Sequence, residues 1–114
     1  MPAVTTDQLQ ALQDDISAGV QVILQAYDQC KDAQQSLDLM NQAQQLSAQM
    51  AEIEQALFHQ QTLEAAEAAT ALTAANGFTS QLTAMAKSLE QVSNIVAAGA
   101  KLIGAVTQVV AYLG

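Results

Sequence analysis

Arginine and tryptophan are absent from the sequence, and basic side chains are limited to three lysines against 11 acidic residues. Without guanidinium groups or a basic stripe, the surface cannot neutralise a row of phosphates. Phenylalanine and tyrosine together make up only 4% of the chain, so there is no stacking platform for bases or sugars. These shortages exclude nucleic acid as a partner.

Side chains that carry out catalysis or bind metals are equally scarce. His59 is the only histidine, and no carboxylate stands three or four residues from it on either side. Cys30 is the only cysteine, which excludes an internal disulfide. No glycine-rich phosphate loop, nucleophile with a base or zinc-ligand spacing occurs. We therefore predict a protein that is not an enzyme, with no catalytic residue, no metal and no cofactor.

The amino-terminal segment lacks the features of a targeting signal. It has no basic residue before Lys31 and no apolar run. A secretory signal needs a charged region followed by an apolar one. We expect cytoplasmic synthesis without a cleaved signal and, if the protein is exported, a leaderless route.

Helix-forming residues dominate the composition. Alanine and glutamine account for 41 of the 114 residues, and the single proline is Pro2. The sequence predicts one all-α domain over residues 1–114, with helices at about 6–34, 37–75 and 79–113. The first two helices are either continuous or separated by a short turn, whereas Asn76-Gly77 predicts a definite turn before the third. The expected architecture is an antiparallel helical hairpin or a three-helix coiled-coil-like bundle that forms oligomers.

Apolar residues recur at spacings of three and four, which is the pattern of a helix-packing seam. One seam follows the first helix through Leu9, Leu12, Ile16, Gly19, Ile23 and Ala26. A second, in a shifted register, follows Leu39, Ala43, Leu46, Met50, Ile53 and Leu57. From residue 95 onward the last helix is apolar on more than half its circumference, so a single partner helix cannot cover it.

The last helix therefore supplies the predicted interface. Its members are Leu82, Met85, Leu89, Val92, Ile95, Val96, Leu102, Ile103, Val106, Val109 and Val110. We expect a second copy or another helical protein to bury part of this set. A single antiparallel partner leaves the flank through Ile95, Leu102 and Val109 open, so this flank needs a second neighbour, in a bundle of at least three helices, in an oligomer or in lipid. Contact of residues 92–114 with a membrane is the alternative, although Lys101 in the middle of that segment disfavours insertion.

The combined profile is rich in alanine and glutamine, almost devoid of aromatic side chains and apolar at its carboxyl end. It is similar to small exported helical subunits that polymerise, such as filament and needle proteins of bacterial secretion systems. That resemblance implies a structural subunit that self-assembles. Two other hypotheses are a pore-forming subunit that inserts its last helix on oligomerisation and an acidic, immunity-type inhibitor of a basic partner.

Overall fold

A computed structural model of the protein describes residues 2–87 and 92–113. They form a bundle of four helices, α1 (Thr6–Gln29), α2 (Ala33–Phe58), α3 (Ala66–Met85) and α4 (Val92–Val110). The only β pairing within these ranges is an isolated bridge between Val4 and Leu63. The all-α prediction is confirmed, but the bundle has four helices where two or three were expected.

The start of α1 follows directly from its capping residues. The Thr5 hydroxyl accepts a hydrogen bond from the Gln8 backbone N–H (3.2 Å), and the Gln8 side-chain oxygen accepts one from the Thr5 N–H (2.8 Å). This reciprocal pair satisfies two backbone donors that would otherwise lack partners at the helix end. The predicted start near residue 6 is confirmed.

The first break in the chain comes earlier than predicted. α1 ends at Gln29, and not near residue 34, because Asp32 caps the next helix by accepting a hydrogen bond from the Gln35 N–H (2.9 Å). An aspartate is a strong N-cap, and its negative charge is favourable at a helix N-terminus. The three-residue link Cys30–Asp32 therefore separates α1 from α2, upstream of the turn proposed near Ser36.

A second break divides the predicted helix 37–75. α2 ends at Phe58, and Gln60 adopts a positive φ of 53° just beyond it. Leu63 then exchanges two backbone hydrogen bonds with Val4 (2.9 and 3.0 Å), and both side chains are buried. The prediction of an unbroken helix here was wrong, because these contacts hold the 59–65 link across the end of the core.

The predicted turn at Asn76-Gly77 was also wrong. α3 passes through both residues and continues to Met85, so no helix begins at residue 79. The Asn76 amide donates a hydrogen bond to an Asp15 carboxylate oxygen on α1 (3.0 Å). This contact and the burial of Ala75 and Leu82 on the same helix offset the helix-propensity cost of Gly77, which is about 1 kcal/mol.

The four helices are arranged so that α1 and α4 are diagonal neighbours. α1 packs against α2 and α3, and α4 packs against the opposite sides of the same two helices. Gln42 of α2 contacts Val96 of α4, and Gln49, farther along α2, contacts Ile103, farther along α4. The two helices are therefore parallel. The 59–65 link therefore crosses the bundle diagonally. We call the end where it crosses the Phe58 end: α1 and α3 begin there, and α2 and α4 finish there.

The centre of the bundle forms around a small residue of α1. At Gly19 an added Cβ would lie 2.9 Å from a methyl group of Leu102 and 3.4 Å from one of Leu82, so leucines of α3 and α4 occupy the space that a side chain would fill. Both leucines are fully buried. α3 contributes mainly alanines to the core, which lets its neighbours approach closely.

Replacing Gly77 with alanine tests the continuity of α3. An added Cβ meets no atom within 4 Å, and the backbone is helical, so Gly77→Ala should raise the free energy of unfolding by about 0.5–1 kcal/mol. Thermal unfolding followed by circular dichroism measures the change. A loss of stability would mean that the chain does turn at this position.

Candidate functional site

The bundle buries most of the predicted interface within a single chain. Its fully buried members are Leu82, Ile95, Leu102, Val106 and Val109. Its half-buried members are Met85, Val92, Val96, Ile103 and Val110. Leu89 lies outside the described residues. Contact between any of these side chains and a second copy stays a prediction.

The flank expected to need a second neighbour is the most deeply buried part of α4. Ile95, Leu102 and Val109 have no accessible surface, whereas Val96 and Ile103, placed at the centre of the predicted seam, lie at its edge. The additional neighbour comes from the same chain, because α4 has helices on both sides and α1 across the core. The centre of its buried face therefore lies one residue away from the predicted seam.

A glutamine of α2 interlocks with a glycine of α4. The Gln42 side-chain amide is buried and donates a 2.7 Å hydrogen bond to the Val96 carbonyl oxygen. Its own oxygen lies against Gly99, has no hydrogen-bond partner and leaves no room for a Cβ there. The amide therefore fits only because residue 99 is glycine.

Two further glutamines extend this polar contact between the parallel helices. Gln49, two helical turns beyond Gln42, donates to the Thr107 hydroxyl (2.8 Å), which in turn donates to the Ile103 carbonyl (2.7 Å). At the Phe58 end, Gln61 donates to the Leu113 carbonyl (2.9 Å). Amide side chains thus fix the register of α4 on α2 without burying a charge.

The exposed surface of α3 and α4, here the α3–α4 surface, consists largely of small uncharged side chains. Its members are Ala66, Thr70, Thr73, Gly77, Ser80 and Ala84 on α3, Ala97, Ala100, Lys101, Gly104 and Gln108 on α4, and Ala111 just beyond the end of α4. A helix bearing such residues can approach another helix closely. This surface makes up most of the part of α4 that stays accessible after the bundle has formed.

Charge is distributed unequally between the two halves of the chain. Residues 6–58 contain eight carboxylates and one lysine, whereas residues 66–113 contain two carboxylates and two lysines. Because α1 and α2 come from the first half, the acidic charge lies mainly on their side of the bundle. The α3–α4 surface has almost no net charge.

The Phe58 end combines an exposed aromatic ring with surface depressions. Phe58 is 83% exposed, and its ring makes an edge-on contact with His59 at a centroid distance of 5.3 Å. His59 lines a groove of about 390 Å³ together with Glu52, Gln55, Ala56, Gln61, Val110 and Leu113. A second depression, of about 360 Å³, is lined by Glu67, Gln108, Ala111 and Tyr112.

Across the described ranges, no three histidine, cysteine, aspartate or glutamate side chains are grouped so as to hold a metal ion.

Sequence reasoning missed both the glutamine contacts and the exposed ring. Gln42 and Gln49 repeat at the same seven-residue interval as their partners Val96 and Ile103, which is a signal present in the sequence. Leu57 belongs to the second seam, so the next residue, Phe58, was already expected to lie outside that seam. Neither signal reveals which helix lies opposite, so neither identifies a contact by itself.

Comparison with protein-family models, with curated proteins and with solved structures found no match to this chain. The function therefore has to be inferred from its own residues and their arrangement.

One helix of the described ranges, α4, is long and apolar enough to cross a membrane. Its mean hydropathy over that window is 1.3, and 39% of the window is buried inside the bundle. A core helix of a soluble bundle has the same length and composition. The measurement is compatible with membrane contact but gives it only weak support.

Two glycine substitutions on α4 test the interlock with Gln42. Gly99→Ala should lower the free energy of unfolding by about 1–3 kcal/mol, because the Cβ displaces the Gln42 amide from its hydrogen bond. Gly104→Ala on the same helix meets no neighbouring atom and should raise stability by about 0.5–1 kcal/mol. Chemical denaturation measures both, and equal effects of the two changes would contradict the interlock.

Proposed function

We propose that the protein is a non-enzymatic structural or interaction protein that self-associates through its α3–α4 surface. The observation that carries the proposal is the contrast between this neutral surface of small residues and the acidic surface of α1 and α2. The formal net charge of −8 means that two copies repel each other in most orientations. Contact through the neutral surface keeps the acidic helices far apart.

The dimensions of the surface also support association. The 20 residues of α3 extend for about 30 Å. With a bundle width of 20 Å, the face covers about 600 Å² per copy and about 1,200 Å² in total, which is the lower limit of a stable specific interface. A contact of this size made by small residues suits a subunit that repeats in an assembly, which agrees with the resemblance to filament and needle subunits.

A matched pair of alanine substitutions tests the interface. Ala100 lies on the α3–α4 surface and Ala48 on the exposed side of α2, and both are helical and exposed. Ala100→Glu should convert the assembly into monomers, because it places a carboxylate in a contact between two like-charged chains. Ala48→Glu makes the same chemical change outside the contact and should leave the assembly unchanged.

Size-exclusion chromatography with light scattering, at neutral pH and over a range of protein concentrations, gives the masses of these variants. A wild-type protein that is monomeric throughout would contradict the proposal. So would Ala100→Glu and Ala48→Glu assemblies of equal mass.

A membrane-active subunit is the second candidate, and the hydropathy of α4 favours it. The apolar residues of α4 form the core of the bundle, so insertion requires the bundle to open. Lys101 is exposed and stands at the middle of the segment that would cross the bilayer. A lysine at that depth costs about 2.5–3.5 kcal/mol, whereas a leucine gains about 0.3–0.6 kcal/mol.

Two lysine substitutions test this candidate. If α4 inserts, Lys101→Leu should increase dye release from phosphatidylcholine vesicles about tenfold or more, because each 1.4 kcal/mol is a tenfold change in an equilibrium. Lys87→Leu makes the same change outside α4 at another exposed position and should have no such effect. Equal dye release by the two variants would argue against insertion of α4.

A further inference from the structure

We propose that the Phe58 end of the bundle binds a basic, partly apolar segment of a partner protein. Phe58 anchors the apolar part of that segment, and the adjoining groove accepts one of its lysine or arginine side chains. This site lies away from the middle of the α3–α4 surface, so it is separate from the contact through which copies associate.

The first argument is the exposure of Phe58. At 83% it is the most exposed large apolar residue described, well above Leu37 at 54%. The Phe58 ring meets His59, which forms a wall of the groove, so the ring and the groove make one continuous surface. A large ring that gains burial only on association is typical of a residue that dominates binding.

The second argument is the charge at this end. Five carboxylates belong to segments that meet here: Asp7, Glu52, Glu54, Glu64 and Glu67. All three lysines lie elsewhere, since Lys31 and Lys87 are at the opposite end and Lys101 is at mid-height on α4. The last turns of α2 and α4 contain no basic residue. The dipoles of these two helices are opposed by those of α1 and α3, which begin at the same end, so the side-chain carboxylates determine the sign of the charge here.

The groove itself fits an extended basic side chain. Val110, Leu113 and Ala56 provide apolar walls for a methylene stem, and Glu52 provides a carboxylate for its charged head. Long basic side chains bury their stems in this way while the charged group contacts a counter-charge. The amides of Gln55 and Gln61 line the same groove and add hydrogen-bonding groups.

The same charges argue against two other occupants. Lipid phosphates would meet five carboxylates at this end, and a second copy of the chain brings a net charge of −8 with only three lysines. Like charges placed opposite one another are strongly unfavourable at an interface. A basic protein segment is the occupant that satisfies both the ring and the carboxylates.

The absence of tryptophan from the chain makes a direct binding measurement possible. The probe is an amphipathic peptide of leucine and lysine that carries one tryptophan, and its fluorescence is followed at low salt as protein is added. Phe58→Ala should weaken binding about tenfold, and Glu52→Gln should weaken it less, by about threefold. Leu37→Ala and Asp28→Asn remove similar groups at the opposite end and should leave the affinity unchanged.

A second peptide with glutamate in place of each lysine should not bind. In heteronuclear NMR spectra, the basic peptide should shift amide signals around His59, Gln61 and Leu113 and leave those of the opposite end in place. Binding that persists in Phe58→Ala, or that is weakened equally in Leu37→Ala, would overturn the proposal. So would shifts spread over the whole acidic surface, which indicate non-specific attraction.

Two further outcomes separate this proposal from its competitors. The Ala100→Glu variant should bind the basic peptide as the wild type does, so failure of self-association leaves this test intact. Phosphatidylcholine vesicles should not bind. Vesicle binding that depends on Phe58 would overturn the proposal in favour of a lipid surface. If the assembled wild type failed to bind the peptide while the Ala100→Glu variant bound it, a second copy of the chain would be the occupant.

Discussion

α4 has more apolar surface than any single neighbouring helix can cover, and the arrangement of the other three helices follows from this constraint. α2 and α3 lie on its two sides, and Gly19 of α1 admits Leu102 from across the core. This placement requires the chain to cross the Phe58 end between α2 and α3, where the backbone pairing of Val4 with Leu63 holds the crossing link. Covering α4 also leaves mainly small or uncharged residues exposed, with Lys101 as the charged exception, so the burial requirement determines what surface is available for association.

Sequence patterns predicted the start of α1 and much of the core, which local forces decide. The Thr5 capping box located the start of α1, and the three-and-four spacing identified Leu9, Leu12 and Ile16 as core residues. The Asp32 cap at the start of α2 is also a local signal, and it was missed. The other failures occur where a distant contact decides. Gly77 has a strong local preference for a turn, but the packing of α3 and the contact between Asn76 and Asp15 on another helix outweigh it. No local signal reveals such a contact.

The candidate sites also combine features that the sequence reveals with features that depend on the fold. Composition alone indicated a strongly acidic chain, because counts of residue types need no three-dimensional information. The groove at the Phe58 end joins residues more than fifty positions apart, such as Glu52 and Val110. Its existence depends on α2 and α4 being parallel and finishing together. That fact follows from the diagonal crossing of the 59–65 link, which the sequence does not specify in any recognisable motif.

The parallel pairing of α2 with α4 has a consequence for the folding pathway. α1 with α2, and α3 with α4, are neighbours along the chain, so each pair can form with little loss of loop entropy. The contacts of Gln42 with Val96 and of Gln49 with Ile103 join residues 54 positions apart and form only when the two hairpins dock. Interactions completed late in folding act mainly on the unfolding rate. The glutamine contacts are therefore expected to determine mainly the unfolding rate of the bundle, whereas formation of the two hairpins determines its folding rate.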